Sequence, residues 1–199
     1  MTYEVAPERQ YMKVQEISDS DIIKRFQVEK TKNAAFNDLV LKYQKRVYWH
    51  IRRMVIDHED SDDLIQEVFI KVWNNLSHFR EDAKLYTWLY RIATNECITF
   101  LNWKKNKGAL SIDNEEDSGY LMNTLKEGSY IDGNSIEIKL QEAILTLPDK
   151  QRTVFNLKYF DNMKYEEMSD VLGTSVGALK ASFHLAVKKI EKYFEERDL

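Results

Sequence analysis

The sequence predicts an all-α protein built as two small helical domains joined by a flexible linker. Three observations carry this. Residues 1–107 contain no glycine, and the only prolines are Pro7 and Pro148, so breakers are scarce. Apolar residues recur at spacings of three and four along most of the chain, with no strand-like alternation. Gly108, Gly119, Gly128 and Gly133 fall in one stretch that divides the helical pattern in two.

Residues 1–19 read as a weakly ordered tail. Ile22, Ile23 and Phe26 then mark a short amphipathic helix, with Ser20 or Asp21 as its expected cap. A second helix is expected from about Asn33 to Met54, with Phe36, Leu39, Val40, Tyr43, Val47 and Ile51 on its apolar face. The break "IDHEDSDD" supplies Ser and Asp groups to cap the next helix. That helix is expected from Asp62 to about Leu76, with Ile65, Val68, Phe69, Val72 and Trp73 inward. A loop, "SHFREDAKLY", leads to a fourth helix from about Tyr86 to Lys105. Its inward residues are Trp88, Leu89, Ile92, Cys97, Ile98 and Leu101. Residues 20–107 thus form the first domain.

Residues 108–135 change character. Asp113, Glu115, Glu116, Asp117, Glu127 and Asp132 face a single base, Lys126, and the glycines lie among them. This reads as a flexible acidic linker. The second domain, 136–199, starts with a helix from Ile136 to Leu147. Pro148 suits the first turn of the next one, where its missing N–H costs nothing. "KYEEMSDVL" follows, then Gly173, then a long helix from about Ser175 to Glu196.

Composition narrows the function. The chain has 199 residues and a net charge of -4. No run of about 18 apolar residues predicts a membrane span, and the N-terminus lacks the pattern of a secretory signal. The lone Cys97 has no partner for a disulfide or a metal site. A cytoplasmic location is expected. His50, His58, His78 and His184 are scattered, with no HExxH spacing, phosphate loop or nucleophile elbow. Neither an enzyme nor a cofactor is expected.

The segment Asp170–Lys189 carries the sharpest local signal. Gly173 falls where a helix wants a left-handed terminating residue, and Ser175 can cap the helix that follows. Two short helices meeting at such a turn form a helix-turn-helix, whose second helix can enter a major groove. Val176, Leu179, Phe183, Ala186, Val187, Ile190 and Phe194 make its buried stripe. Lys180, His184 and Lys188 share the outward face. Gly177 and Ala181 are small enough to bring the backbone close to DNA. An ordinary amphipathic hairpin in a bundle fits this segment too. From Thr174 to Phe194 four lysines oppose Glu191, a surplus of three positive charges. So few lysines neutralise few phosphates, and affinity scales with that number. If this module reads DNA, something else supplies most of the grip.

Three segments together resolve the puzzle. "DDLIQEVFIKVW" (62–73), "TWLYRIATN" (87–95) and the run from Leu147 to Ile190 resemble the extracytoplasmic-function (ECF) sigma factors of the bacterial sigma-70 family. The resemblance covers about residues 20–195. It implies that residues 20–107 are sigma region two and 136–199 region four. It implies partnership with bacterial core RNA polymerase, recognition of the −10 and −35 promoter elements, and transcription initiation, with the polymerase supplying the grip on DNA. An anti-sigma protein is a further implied partner. A stand-alone helix-turn-helix regulator remains the alternative; it has no reason to carry the 62–73 helix.

By the same resemblance, Asp63, Gln66 and Glu67 dock on the polymerase clamp. Arg80, Lys84, Thr87, Tyr90, Arg91 and Asn95 contact the −10 element, with Phe79 and Tyr86 as further stacking candidates and Lys104, Lys105 and Lys107 as phosphate contacts. Ser175, Gly177, Ala178, Lys180, Ala181, Ser182, His184 and Lys188 contact the −35 element. Ser182, Leu185 and Thr94 stand where the family often has arginine, which points to a different −35 sequence or to readout of phosphate and shape.

Overall fold

A computed structural model describes residues 17–106 and 135–197, and among these all regular structure is helical. Most of the expected linker and tail lie outside the described residues. The helices are α1 (Asp19–Phe26), α2 (Glu29–Val55), α3 (His58–Asn75), α4 (Leu85–Asn106), α5 (Ser135–Leu145), α6 (Asp149–Tyr159), α7 (Tyr165–Leu172) and α8 (Val176–Glu195). None of them is long and apolar enough to cross a membrane.

Local chemistry sets the boundaries. Ser18, not Ser20 or Asp21, caps α1 by accepting from the Asp21 amide at 3.1 Å. Asp57 caps α3, accepting from Asp60 N at 2.9 Å, so that helix starts four residues before Asp62. Pro148 stands just ahead of α6 with φ -55 and ψ 145, one position before the expected first-turn site. Its ring restricts it to that extended approach, and the helix begins at Asp149.

α1–α4 enclose the larger part of the core. Ile22, Phe26, Leu39, Val47, Ile51, Val68, Val72, Leu89, Ala93 and Cys97 are buried there. Trp73 stacks edge-on against Phe26 and Phe36, at 5.3 and 4.9 Å between ring centroids. Trp73 and Trp88 are only partly buried, packed against this core from its margin. Ile98, expected inward, is well exposed, because it falls off the Leu89–Ala93–Cys97–Leu101 stripe that faces α2 and α3.

In the second half, Ala143, Ile144, Leu147, Phe155, Ala186 and Ile190 form a separate small cluster. Phe155 stacks nearly parallel on Phe183 at 5.7 Å. The other apolar residues of this half, Val154, Leu157, Met163, Met168, Val171 and Leu179, join the α1–α4 core. The two halves therefore share a continuous apolar interior, with α7 lying against α4 and α6 against α2.

Candidate nucleic-acid interface

The outer face of α3 is acidic and open. Asp63, Gln66 and Glu67 are all exposed. Ile70, one turn beyond Glu67, is 60% exposed. An exposed aliphatic side chain beside carboxylates gives the face an apolar element next to charge, a combination that suits protein docking. Ile70 was not singled out from the sequence, because helical spacing alone does not tell a surface isoleucine from one at the margin of the core.

The helix-turn-helix forms as the sequence predicts. Gly173 closes α7 with φ 62 and ψ 27, and its N–H reaches back to Ser169 O at 2.9 Å. A β-carbon there would be strained whatever the space around it. Ser175 then caps α8, accepting from the Ala178 amide at 3.4 Å. Ser175, Gly177, Ala178, Lys180, Ala181, His184 and Lys188 are exposed along α8, and Ser182 is half-buried. A β-carbon placed on Gly177 would meet nothing within 4 Å, so this face is open for close approach. Leu185 is exposed beside it.

The loop before α4 and the first turns of that helix are divided. Arg80, Arg91 and Asn95 are exposed. Lys84 is also exposed but is tied to Glu167 of α7 at 2.8 Å. Thr87 and Tyr90, expected to be open to DNA, are buried at 2% and 1% exposure. Thr87 lines a cleft of about 540 Å³ whose walls include Asp19, Phe79, Lys84, Glu167 and Asp170. Tyr90 donates to Asp161 Oδ1 at 3.2 Å. Both lie where the second half of the molecule closes on α4: Tyr90 packs against His50 of α2 and reaches Asp161, and Thr87 shares its cleft with residues of α1 and with Glu167 and Asp170. Among the expected phosphate contacts, Lys104 is bonded to Asp60 and Lys105 to Asp149, the latter at 2.8 Å, while Lys107 lies outside the described residues.

Asp161 is the centre of that closure. It sits in the turn between α6 and α7, followed by Asn162 at φ 50, a conformation asparagine tolerates. Its carboxylate is 5% exposed and lies 2.9 Å from His50 Nδ1 and 3.3 Å from Arg53 Nη1. A carboxylate only accepts, so His50 Nδ1 carries the proton of this bond. His50 Nε2 lies 3.0 Å from Thr94 Oγ1. Thr94 is thus a buried partner of His50, and an arginine at this position would have to displace it. Burial raises the Tyr86 hydroxyl to about 12, with the Asp161 charge adding to the effect. Burial also raises Tyr90 far above its ordinary range, again with Asp161 assisting. Both tyrosines are therefore held protonated, as donors. His50, Arg53, Asp161 and Glu167 were not named as functional from the sequence, since nothing short-range links the α2 residues to a turn more than a hundred positions away.

Comparison with known proteins bears on this arrangement. A profile described as Sigma-70 region 2 matches residues 39–106, and one described as Sigma-70, region 4 matches residues 137–190. The ECF RNA polymerase sigma factor SigW of Bacillus subtilis is 33% identical over 179 residues, covering 85% of this chain and 94% of that protein. The chain belongs to the ECF sigma factors. The RNA polymerase sigma-H factor of Pseudomonas aeruginosa is 32% identical over 180 residues, covering 87% and 92%. The ECF RNA polymerase sigma-E factor of Escherichia coli is 30% identical over 187 residues, covering 89% and 94%. Among solved structures, that of CnrH in complex with the cytosolic domain of CnrY shares the fold. Its TM-score is 0.63 at 22% identity, over 89% of this chain and 99% of that one. The sigma factor RpoE of Bartonella quintana, solved with the anti-sigma factor NepR, also has a TM-score of 0.63, at 16% identity over 80% and 96%.

As a sigma factor the protein is a transcription initiation factor, not an enzyme. Region two contains the acidic α3 face and the divided α4 surface. Region four contains the helix-turn-helix and the turn that carries Asp161.

Proposed function

We propose that this sigma factor works in the cytoplasm as a subunit of bacterial RNA polymerase, with residues 20–107 and 136–199 as separate promoter-reading units. Asp63, Gln66 and Glu67, joined by Ile70, dock on the polymerase clamp. Arg80, Lys84, Arg91 and Asn95 contact the −10 element, and Thr87 and Tyr90 do so once uncovered. On α8, Lys180, His184 and Lys188 meet phosphates or base edges of the −35 element. Ser175, Gly177, Ala178, Ala181 and Ser182 allow the backbone to approach.

The observation that carries this reading is the presence, in one chain, of an open acidic helix face and a capped helix-turn-helix with a lysine face. The acidic face repels nucleic acid and fits a protein partner, and its charges steer docking and fix register. The lysines are too few to hold DNA alone. A division of labour follows: the polymerase contributes affinity, the sigma factor selectivity. The solved relatives named as complexes with partner proteins support an anti-sigma protein as a further partner.

The test mixes the purified protein with core RNA polymerase on a gradient and then supplies a promoter library for run-off transcription. Co-migration with promoter-specific transcripts is expected. Failure to co-migrate, together with tight sequence-specific binding to duplex DNA by the free chain, would instead identify a stand-alone regulator.

A further inference from the structure

We propose that Tyr165 is a positioning residue of the −35 interface: its ring holds the Lys180 ammonium in place before DNA arrives. The proposal rests on the reading of Lys180 as a −35 contact.

A free lysine is a poor instrument for selective readout. It is a point charge on a flexible stem, whereas the planar fork of an arginine is preorganised. α8 carries Lys180, Lys188, Lys189 and Lys192 and no arginine. Ordering a long side chain at the moment of binding costs affinity, so a contact that must choose between promoters gains from a side chain already held.

The structure supplies such a hold for Lys180. Its Nζ lies 5.6 Å from the centroid of the Tyr165 ring, within cation–π reach. Among the described residues, Lys180 is the only lysine of α8 with an aromatic ring at that range. The ring is itself fixed: Tyr165 is half-buried and packs against the larger apolar core, so it does not follow the motion of the lysine. It is also the first residue of α7, and in this motif the helix before the recognition helix crosses the DNA backbone. Gly173 and the Ser175 cap set the turn that brings α7 and α8 together. A second cation shares the ring. Lys158 Nζ lies 5.1 Å from the same centroid and donates to Met163 O at 3.2 Å. One ring thus gathers positive charges from α6 and α8 on the flank of the helix-turn-helix. Their mutual repulsion is relieved by an anion, and a DNA phosphate is the anion this flank is built to meet.

The test uses the reconstituted holoenzyme with Tyr165→Phe, Tyr165→Leu and Lys180→Ala. Tyr165→Phe keeps the ring and is expected to match the parent. Tyr165→Leu keeps an apolar group against the core but loses the ring. It is expected to lower binding and initiation on −35-dependent promoters roughly two- to five-fold. Its salt slope should stay that of the parent, because Lys180 still neutralises its phosphate once bound, whereas Lys180→Ala lowers the slope by about one. Combining Tyr165→Leu with Lys180→Ala should cause no loss beyond that of Lys180→Ala alone. In the free protein, the ε-methylene NMR signals of Lys180 should carry a ring-current shift in the parent and in Tyr165→Phe. Tyr165→Leu should abolish it. Losses that multiply in the double variant, a loss in Tyr165→Phe equal to that in Tyr165→Leu, or no ring-current shift in the parent would each overturn the proposal and leave Lys180 as a −35 contact. A Lys180→Ala protein that initiates like the parent on −35-dependent promoters would fault the −35 reading itself, and the positioning role with it.

Discussion

Glu167 serves two masters in different parts of the chain: its Oε1 takes the Lys84 ammonium at 2.8 Å, and its Oε2 takes the Lys164 amide N–H at 3.1 Å. One carboxylate thus caps α7 and ties that helix to the loop before α4. Burial works to raise its pKa, but the Lys84 hydrogen bond and the Lys164 amide outweigh burial and hold it below the usual range. Asp149 behaves alike, with burial opposed by Lys105 and Arg152.

The sign of the pH dependence follows. A carboxyl whose pKa is depressed in the closed form stabilises that form above its open-state pKa, and the contribution is lost as pH falls through the depressed value. The contact between the two halves is therefore expected to loosen on acidification below the ordinary carboxylate range. Spin-label distances recorded beside circular dichroism will separate opening from unfolding. Rising salt at neutral pH should act in the same direction, since these pairs are partly exposed.

Glu67→Lys, on the open face of α3, is expected to weaken binding to core RNA polymerase about ten-fold, near 1.4 kcal/mol. Helix content should not change, because the side chain contributes to no buried contact. Fluorescence titration with labelled core measures it, and Asp63→Ala should give a smaller loss in the same assay.

Lys180→Ala should reduce initiation on promoters that depend on a −35 element, and spare those that do not. If the lysine meets a phosphate, the salt slope of holoenzyme binding falls by about one. Run-off transcription over a range of salt reads both effects.

Gly173→Ala places a β-carbon on a residue with φ 62 and is expected to destabilise the protein by about 1–2 kcal/mol. The substitution does not touch DNA, so thermal unfolding will move before promoter selectivity does. Leu39→Ala, at the centre of the larger core, is expected to cost about 2–5 kcal/mol.

The fold was largely legible because its determinants are local. Ser175, Gly173 and the stripe Leu179–Ala186–Ile190 each follow from short-range rules of capping and periodicity. The exposure of Asp63 and Lys180 followed from the same rules applied to the opposite helix faces. What escaped was long-range. Nothing near Thr87 or Tyr90 says that α1, α2 and the turn carrying Asp161 will meet around them. His50 reads as one scattered histidine until Asp161 is set beside it. Ile98 and Ile70 show the related limit that hydrophobicity and spacing assign a helix a face but not that face's edges. Ser18 displaced Ser20 and Asp21 as the cap of α1, and Asp57 was one of several capping groups the break offered α3; neighbouring Asp and Ser residues are chemically equivalent, and the choice between them depends on where the preceding backbone turns.

The 111 positions separating His50 from Asp161 also set a schedule. A ribosome adding roughly 5–20 residues per second takes on the order of ten seconds to travel between them. From Asn106 onward, about the second half of that interval, the first four helices are complete while their histidine, arginine and paired tyrosines await their acceptor. The newborn chain consequently passes through a stage in which Tyr86 and Tyr90 lack their acceptor, and that stage ends only after the turn carrying Asp161 has been made.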